Sequence, residues 1–157
     1  MNRPNGLSPP GERTALWQPL TDAAREQAFR LQICGGCGTI QFPPREVCTH
    51  CLGDALEWRG VDPGGTVLAA TRLHASAEPF FRAHVPFAIG SIKLDCGPVV
   101  LAYLDEGCRT GGSRVRVETR VDRSGQGVFV ARPESLQPGS SESPISDPRL
   151  AEILGSN

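Results

Sequence analysis

Residues 33–53 read ICGGCGTIQFPPREVCTHCLG, and this stretch decides the fold of the chain. It holds four of the six cysteines, arranged as Cys34-x-x-Cys37 and Cys48-x-x-Cys51. A two-residue gap lets one tight backbone turn, or knuckle, present two thiolates to the same ion. Two knuckles together supply the four sulfurs of a closed tetrahedral zinc site. The pattern therefore predicts one structural zinc ion, bound by all four cysteines.

Two alternatives use the same cysteines. Iron suits a four-sulfur tetrahedral site as well as zinc does. Two disulfides would suit a small secreted domain, but nothing in the N-terminal sequence has the apolar stretch of a signal peptide, so we favour a metal. Gly38 and Gly53 follow the two knuckles, and we expect them to turn the chain with a positive φ. His50 is interpreted as a bystander, because four sulfurs already complete the site.

The charge balance argues against a global attraction to nucleic acid or anionic membrane. The 157 residues carry 16 Lys and Arg against 17 Asp and Glu, a formal net charge of −1. No apolar run approaches the ~18 residues that a membrane span requires. We therefore expect a cytoplasmic protein without a membrane partner, in which thiols stay reduced and available to a metal. Cys96 and Cys108 lack a matching knuckle, and no role is assigned to them.

The N-terminal third divides into an arm and a ribbon. Residues 1–19 are rich in proline, which favours a flexible arm, and Trp17 within it is either a docking anchor or a fold-back onto the ribbon. Residues 20–60 are predicted to form a short helix capped by Thr21 and then the zinc ribbon. The ribbon strands are expected at residues 29–33, 40–42 and 56–58.

Beyond the glycines of residues 60–65 the pattern changes to strands, and residues 65–134 are predicted to form one barrel. In the clearest strand, Val115, Val117 and Thr119 alternate with polar residues. Five short antiparallel strands fit a partly open barrel of the OB type better than a sandwich, which usually has about seven strands. The fold class is thus mainly β. The five strands are expected at residues 66–74, 87–94, 99–104, 114–121 and 128–132.

The C-terminal residues 135–157 are rich in Ser, Pro and Gly, a composition typical of disorder. One short helix is expected over residues 148–154, because Asp147 can cap it, Pro148 suits its first position and Gly155 ends it. A helix this short is marginal in water. It therefore either docks on another surface or frays.

A resemblance to a known family runs through residues 20–134. The matching pieces include Cys34-x-x-Cys37-Gly38, the lead-in Phe42-Pro43-Pro44-Arg45 to the second knuckle, and the barrel's opening Gly65-Thr66-Val67. The chain resembles the acyl-CoA-associated zinc-ribbon/OB-fold proteins, which are small accessory partners of thiolase-superfamily enzymes. Those enzymes include acyltransferases, thiolases and steroid side-chain aldolases.

The resemblance implies a role in lipid or steroid metabolism without catalysis by this chain alone. It implies that the chain binds and stabilises a thiolase-like enzyme in a complex and helps to hold the acyl-CoA. The residues themselves agree, since a closed four-sulfur site leaves no coordination position for a substrate. His74, Glu78 and His84 fall close together in the sequence, but polar residues in a loop are more often solvated than catalytic.

Contacts with the partner or with acyl-CoA are predicted at three places in the sequence. Phe80 and Phe81 are adjacent in a predicted loop over residues 77–87, so one should cover the barrel while the other faces a partner or an acyl chain. If Trp17 is a docking anchor, its side chain contacts the partner as well. Arg114 and Arg116 lie on the polar face of their strand, which is either an ordinary solvated face or a contact for CoA phosphates or an acidic partner.

Single-stranded nucleic-acid binding is the alternative function, because ribbons and OB barrels both serve it elsewhere. That mechanism needs exposed aromatic side chains along a basic groove. Only 6% of the residues are aromatic and the net charge is slightly negative. Nucleic acid is therefore the less favoured partner.

Overall fold

The computed structural model of the chain describes residues 8–135 and 144–155. The predicted arm over 1–19 and tail over 135–157 fall partly on residues 1–7, 136–143 and 156–157, which lie outside the described residues. After a 3-10 turn, Ala15–Trp17, the helices are α1 (Gln18–Arg25), α2 (Pro79–His84) and α3 (Pro148–Leu154). The strands are β1 (Arg30–Cys34), β2 (Ile40–Gln41), β3 (Leu56–Gly60), β4 (Gly64–Leu73), β5 (Phe87–Leu94), β6 (Val99–Leu104), β7 (Arg114–Val121) and β8 (Gly127–Pro133).

The ribbon is a three-stranded antiparallel sheet in the order β2-β1-β3. Each strand lies where the sequence predicts it, within two residues. Strand β2 ends at Gln41, two residues before Pro43, because proline cannot donate to a ladder. The first knuckle connects β1 to β2, and the second lies in the connection from β2 to β3.

Helix α1 begins four residues earlier than predicted. It starts at Gln18, with Pro19 in its first turn, and Thr21 lies inside it rather than at its N-cap. The Thr21 hydroxyl instead accepts a hydrogen bond from the backbone N–H of Gly127 in β8, at 3.0 Å. A Cβ on Gly127 would lie 2.7 Å from the Leu20 carbonyl oxygen, so glycine is what allows α1 to approach β8 this closely.

Strands β4 to β8 form a closed barrel in the order β4-β5-β6-β8-β7, which confirms the predicted OB-type architecture over the competing sandwich. The predicted strand bounds hold to within two residues. In β7, Val115, Val117 and Thr119 are buried as the alternation requires. All neighbouring strands are antiparallel except β6 and β8, which pair in parallel through only two residue pairs.

The ribbon and the barrel share one hydrophobic core. Leu20 of α1 and Leu31 of β1 are buried in the same cluster as Ile92, Leu104 and other inward-facing residues of the barrel. Phe129 of β8 contacts rings from both ribbon segments: its centroid lies 5.5 Å from Phe29 and 5.1 Å from Phe42. Tilted aromatic pairs at this spacing add to the stabilisation from area burial.

The predicted loop over residues 77–87 is wrong, because its centre is the helix α2. Pro79 occupies the first turn, and the Phe80 carbonyl oxygen is 2.7 Å from Nδ1 of His84. Sequence reasoning missed the helix because six residues are too few to show a periodicity. What stabilises it is burial of Phe80, which is 0% exposed and packs with Phe87 and Ile153.

The C-terminal helix α3 docks on the rest of the protein, against β8 and α2, and does not fray. Asp147 accepts hydrogen bonds from the N–H groups of Arg149 and Leu150, and Gly155 has φ 70° at the C-cap. Both residues therefore have the capping roles that the sequence predicts. Leu150, Ile153 and Leu154 are all buried, the first and last against β8 and Ile153 against α2.

Candidate functional site

The four knuckle cysteines come together at one end of the ribbon. All four sulfur atoms lie within 4.8 Å of one another, with Sγ of Cys34 3.5 Å from Cys51 and Sγ of Cys37 3.6 Å from Cys48. Zinc–sulfur bonds of about 2.3 Å in a tetrahedron place the sulfurs about 3.8 Å apart, so these thiols fit one metal ion. The separations are far longer than the ~2.05 Å of a disulfide, and all four thiols are free.

The protonation of these thiols is set by their hydrogen bonds. The hydroxyl and backbone of Thr39 lower the pKa of Cys37 to about 5. Backbone N–H groups of Cys51 and His50 lower the pKa of Cys48. The Gly53 amide favours the thiolate of Cys51, but the neighbouring sulfurs of Cys34 and Cys37 outweigh it and raise that pKa to about 12. A bound cation would take the place of the protons that hold these sulfurs together.

The two knuckles are stereochemically equivalent, but only one ends in glycine. Gly38 donates its N–H to the Cys34 carbonyl and has φ 75°, as expected. In the second knuckle the corresponding residue is Leu52, which donates to the Cys48 carbonyl and has φ 61°. The prediction that Gly53 supplies the positive φ is therefore wrong by one residue, because the turn closes directly after the second cysteine.

Two buried glutamines hold the second knuckle against the ribbon sheet, and sequence reasoning missed both. The side chain of Gln32 in β1 accepts a hydrogen bond from the Arg45 N–H at 2.8 Å and donates one to the Arg45 carbonyl at 3.0 Å. Gln41 of β2 donates to Gln32 at 3.0 Å and accepts the N–H of Thr49 at 3.0 Å. The predicted β1–β2 hairpin could have indicated them, because Gln32 and Gln41 are directly opposite in it and therefore lie on the same face of the sheet.

The predicted aromatic contact residues take different positions. Trp17 is half-buried and folds back onto the ribbon, with its ring edge-on to Phe42 at 5.6 Å and the Arg13 guanidinium 5.2 Å from its centroid. Phe81 is half-buried on α2. Phe80 is fully buried, so its side chain is not available to a partner.

The arginine face of β7 is largely engaged with carboxylates. Arg114 donates to both carboxylate oxygens of Asp95, at 2.8 and 2.7 Å, and also binds Glu134 at 3.0 Å. The Arg114 side chain lowers the pKa of Asp95 through these bonds. Arg120 pairs with Glu118 at 2.8 Å, and Arg116 is half-buried on the same strand. The arginine face of β7 is therefore not a bare positive surface.

Of the two histidines near the first barrel loop, His84 has contacts to its own helix and to α3. Nδ1 of His84 is hydrogen-bonded to the carbonyl of Phe80 in its own helix, and its Nε2 is 3.9 Å from a Glu152 carboxylate oxygen in α3. His74 is exposed just after β4. These contacts give His84 a structural role between α2 and α3.

A cavity of about 670 Å³ lies where the ribbon, the barrel and α2 meet. It is lined by Phe42 and Pro43 of the ribbon, by Arg13 and Trp17 of the N-terminal segment, and by Leu73, Ser76 and Phe81 on and around α2. The first halves of β6 and β8 also line it, with Val99–Ala102 and Gly127–Phe129. The size is within the range of pockets that bind small molecules.

Both halves of the molecule match one family of proteins. Residues 21–57 match the family model described as "ChsH2, rubredoxin-like zinc ribbon domain", and residues 58–123 match "ChsH2, C-terminal OB-fold domain". The chain belongs to the ChsH2 family. The matched residues end at 123, between β7 and β8, and so do not include α3. No curated protein sequence matches the chain significantly.

Two solved structures share the fold of this ChsH2-family chain. One is described as "Ltp2-ChsH2(DUF35) aldolase"; it is 21% identical, with a TM-score of 0.64 over 83% of this chain and 98% of that chain. The other is a DUF35-family protein of unknown function from Sulfolobus solfataricus, 19% identical, with a TM-score of 0.50 over 73% and 84% of the two chains. Within the described residues, no helix is long and apolar enough to cross a membrane.

Proposed function

We propose that this chain is a non-catalytic accessory subunit that binds and stabilises a thiolase-like enzyme acting on acyl-CoA. The observation that carries the proposal is the continuous match of ribbon and barrel to the ChsH2 family, over residues 21–123. In the solved structure with the same fold, a ChsH2 chain accompanies Ltp2 in an aldolase. The four-cysteine site supports the non-catalytic part, because four sulfurs leave no open position on a tetrahedral ion.

The metal in this proposal is one zinc ion with a structural role. The ribbon has only three short strands, and its own buried residues are few, so a metal supplies folding free energy that its packing lacks. Iron with the same ligands would give a coloured protein. Metal analysis of the purified chain distinguishes the two, and one zinc per chain is the expected result.

The enzyme-binding surface in this proposal is the rim of the cavity between the ribbon and α2. Its aromatic side chains Trp17 and Phe81 are half-buried, as anchors of an interface often are in the free subunit. The remaining members of the rim come from both halves of the molecule. A partner seated there would touch ribbon and barrel at once.

A native pull-down with matched variants tests this function. The tagged chain should retain a thiolase-fold protein in stoichiometric amount. Phe81→Asp should weaken that retention by about tenfold or more, because it places a charge in a desolvated contact. Arg82→Ala, its exposed neighbour on α2, should retain the partner as the unmodified chain does. Absence of any thiolase-fold protein from the eluate, with the variants folded, would contradict the proposal.

We further propose that the chain helps to hold the acyl-CoA. Arg116 is the candidate on β7, since Arg114 and Arg120 already bind carboxylates. In the reconstituted complex, Arg116→Ala should raise KM for the acyl-CoA without changing kcat. An unchanged KM would limit the chain's role to binding the enzyme.

A further inference from the structure

The barrel is closed between β6 and β8 by a very short contact. The two strands pair only at Tyr103 with Val130 and Leu104 with Ala131. Before those pairs the strands diverge, and their first halves line the same cavity, β6 with Val99–Ala102 and β8 with Gly127–Phe129. A seam in the sheet thus opens directly into the cavity.

At this seam, the edge of β6 presents backbone N–H and C=O groups that do not bond to β5. The N–H of Leu94 donates to the Pro98 carbonyl at 3.0 Å, which sets the phase of the β5–β6 ladder. Because hydrogen-bonded pairs alternate in an antiparallel ladder, Val100 and Ala102 bond to β5, while the N–H and C=O of Val99 and Leu101 point the other way. No residue that the structure describes pairs with those two on that side.

The facing edge of β8 is already occupied. The N–H of Gly127 donates to the Thr21 hydroxyl at 3.0 Å, and the Gly127 carbonyl accepts from Arg13 at 2.6 Å. Helix α1 and the segment before it therefore cover β8. An incoming chain would have to pair with β6.

The chemistry of the cavity favours an extended peptide over a small apolar molecule. Leu101 and Val99 are 62% and 44% exposed, and Trp17 and Phe81 line the sides, so apolar groups would be buried well. An apolar molecule would displace water from four backbone groups and leave them without hydrogen bonds, which is costly. A peptide strand satisfies those groups and buries alternate side chains at the same time.

The charge at the seam further defines the peptide. Arg13 is the one charged side chain among the described residues that line the cavity, and it lies at the β8 end. Its guanidinium has donors beyond the one that binds Gly127. A carboxylate on the incoming strand would meet a cation there, and a basic residue would be repelled.

We propose that the edge of β6 at Val99–Leu101 accepts an extended segment of the partner enzyme, with alternating apolar side chains and an acidic residue facing Arg13. This inference rests on the proposed function for the source of the segment and deepens it by naming the form in which the enzyme is bound. The geometry of the edge itself does not depend on which enzyme supplies the strand.

The first test separates backbone pairing from side-chain contact. Leu101→Pro removes an N–H that points into the seam and leaves the β5 ladder intact, whereas Leu101→Thr changes the same side chain but keeps the N–H. The probe is a blocked heptapeptide of alternating valine and threonine with an N-terminal glutamate. Leu101→Pro should weaken its binding by about tenfold or more, and Leu101→Thr by less than about threefold. Equal losses in the two variants would overturn the proposal.

The second test needs no substitution and uses amide hydrogen exchange in the full chain. Without peptide, the amides of Val99 and Leu101 should exchange fast while those of Val100 and Ala102 are slow. Saturating peptide, or the co-purified enzyme, should slow Val99 and Leu101 by about tenfold or more. No protection by about 1 mM peptide and none in the enzyme complex would overturn the inference.

The same data separate the inference from the proposed function. If the unmodified chain retains no enzyme, the proposed function fails, and the peptide experiments still decide whether β6 accepts a strand. If the enzyme is retained equally by Leu101→Pro and Leu101→Thr, the function stands and the inference fails. Dodecanoate filling the cavity with peptide excluded and both amides unprotected would identify a small-molecule site instead.

Discussion

Asp105 and Arg132 face each other in the interior of the protein, with a carboxylate oxygen of Asp105 3.4 Å from Nε of Arg132. Both side chains are almost completely buried. Asp105 also accepts backbone N–H bonds from Glu106 at 2.8 Å, Ser146 at 3.0 Å and Asp147 at 2.9 Å. One carboxylate therefore connects the end of β6 to the segment that carries α3.

Asp105→Ala should destabilise the protein by about 3–5 kcal/mol, because it removes the carboxylate beside Nε of the buried Arg132 and the acceptor of the N–H groups of the C-terminal segment. Glu118 remains 3.7 Å from Nη1 of Arg132, a separation too long for a hydrogen bond. Chemical denaturation of the metal-loaded protein measures the free energy of unfolding. Asp95→Ala is the matched control: it also removes an arginine-bound carboxylate, but an exposed one, and should have a far smaller effect. Equal losses would show that burial of the Asp105 pair is not what matters.

Cys37→Ser should abolish stoichiometric metal binding, because it removes one of four sulfurs from a site that has no spare ligand among the described residues. Elemental analysis of the purified protein provides the measurement. Cys96→Ser changes a half-buried cysteine away from the site and should keep one metal ion per chain. Metal content unaffected by Cys37→Ser would exclude the four-sulfur site.

Leu52→Asn should stabilise the metal-loaded protein by about 0.5–1 kcal/mol. Leu52 has φ 61° and is 75% exposed, so its side chain incurs backbone strain and contributes little packing in return. Asparagine tolerates the left-handed region better than leucine does. Val47→Asn, at an exposed residue of the same loop without a positive φ, should bring no such gain. The comparison is made by denaturant titration of the two variants.

Cys108 should resist alkylation in the folded protein at pH 8. Burial raises its pKa to about 11, and its thiol donates to the carbonyl oxygens of Asp105 and Ala131. The thiolate that reacts is therefore scarce at pH 8, becomes more abundant as the pH rises toward 11, and is shielded from the reagent. Mass spectrometry after iodoacetamide treatment should find Cys108 modified only once the protein is unfolded. Rapid modification of the native protein would contradict its burial.

Several features could be predicted from the sequence because their causes are local. The metal site follows from two knuckles of fixed spacing, and the strands of the barrel follow from alternation such as that of Val115 and Val117. The helix over 148–154 follows from its capping residues, Asp147 and Gly155. In each case residues close in sequence contain all the information that the element needs.

Other features were decided only by tertiary structure. Phe80 lies in a helix because Phe87 and Ile153 bury it, and Thr21 lies inside α1 because Gly127 needs an acceptor. The docking of α3 depends on Asp105, some forty residues earlier in the chain. Partners this far apart leave no period or spacing in the sequence.

The seam between β6 and β8 is the clearest example of a feature that only the tertiary structure decides. The sequence by itself determined that residues 99–104 and 128–132 are strands, through their apolar composition. It did not determine that the two strands pair through only two residues and leave the edge at Leu101 open. Pairing between strands that are not consecutive is set by closure of the barrel, which depends on the twist and stagger of all five strands together.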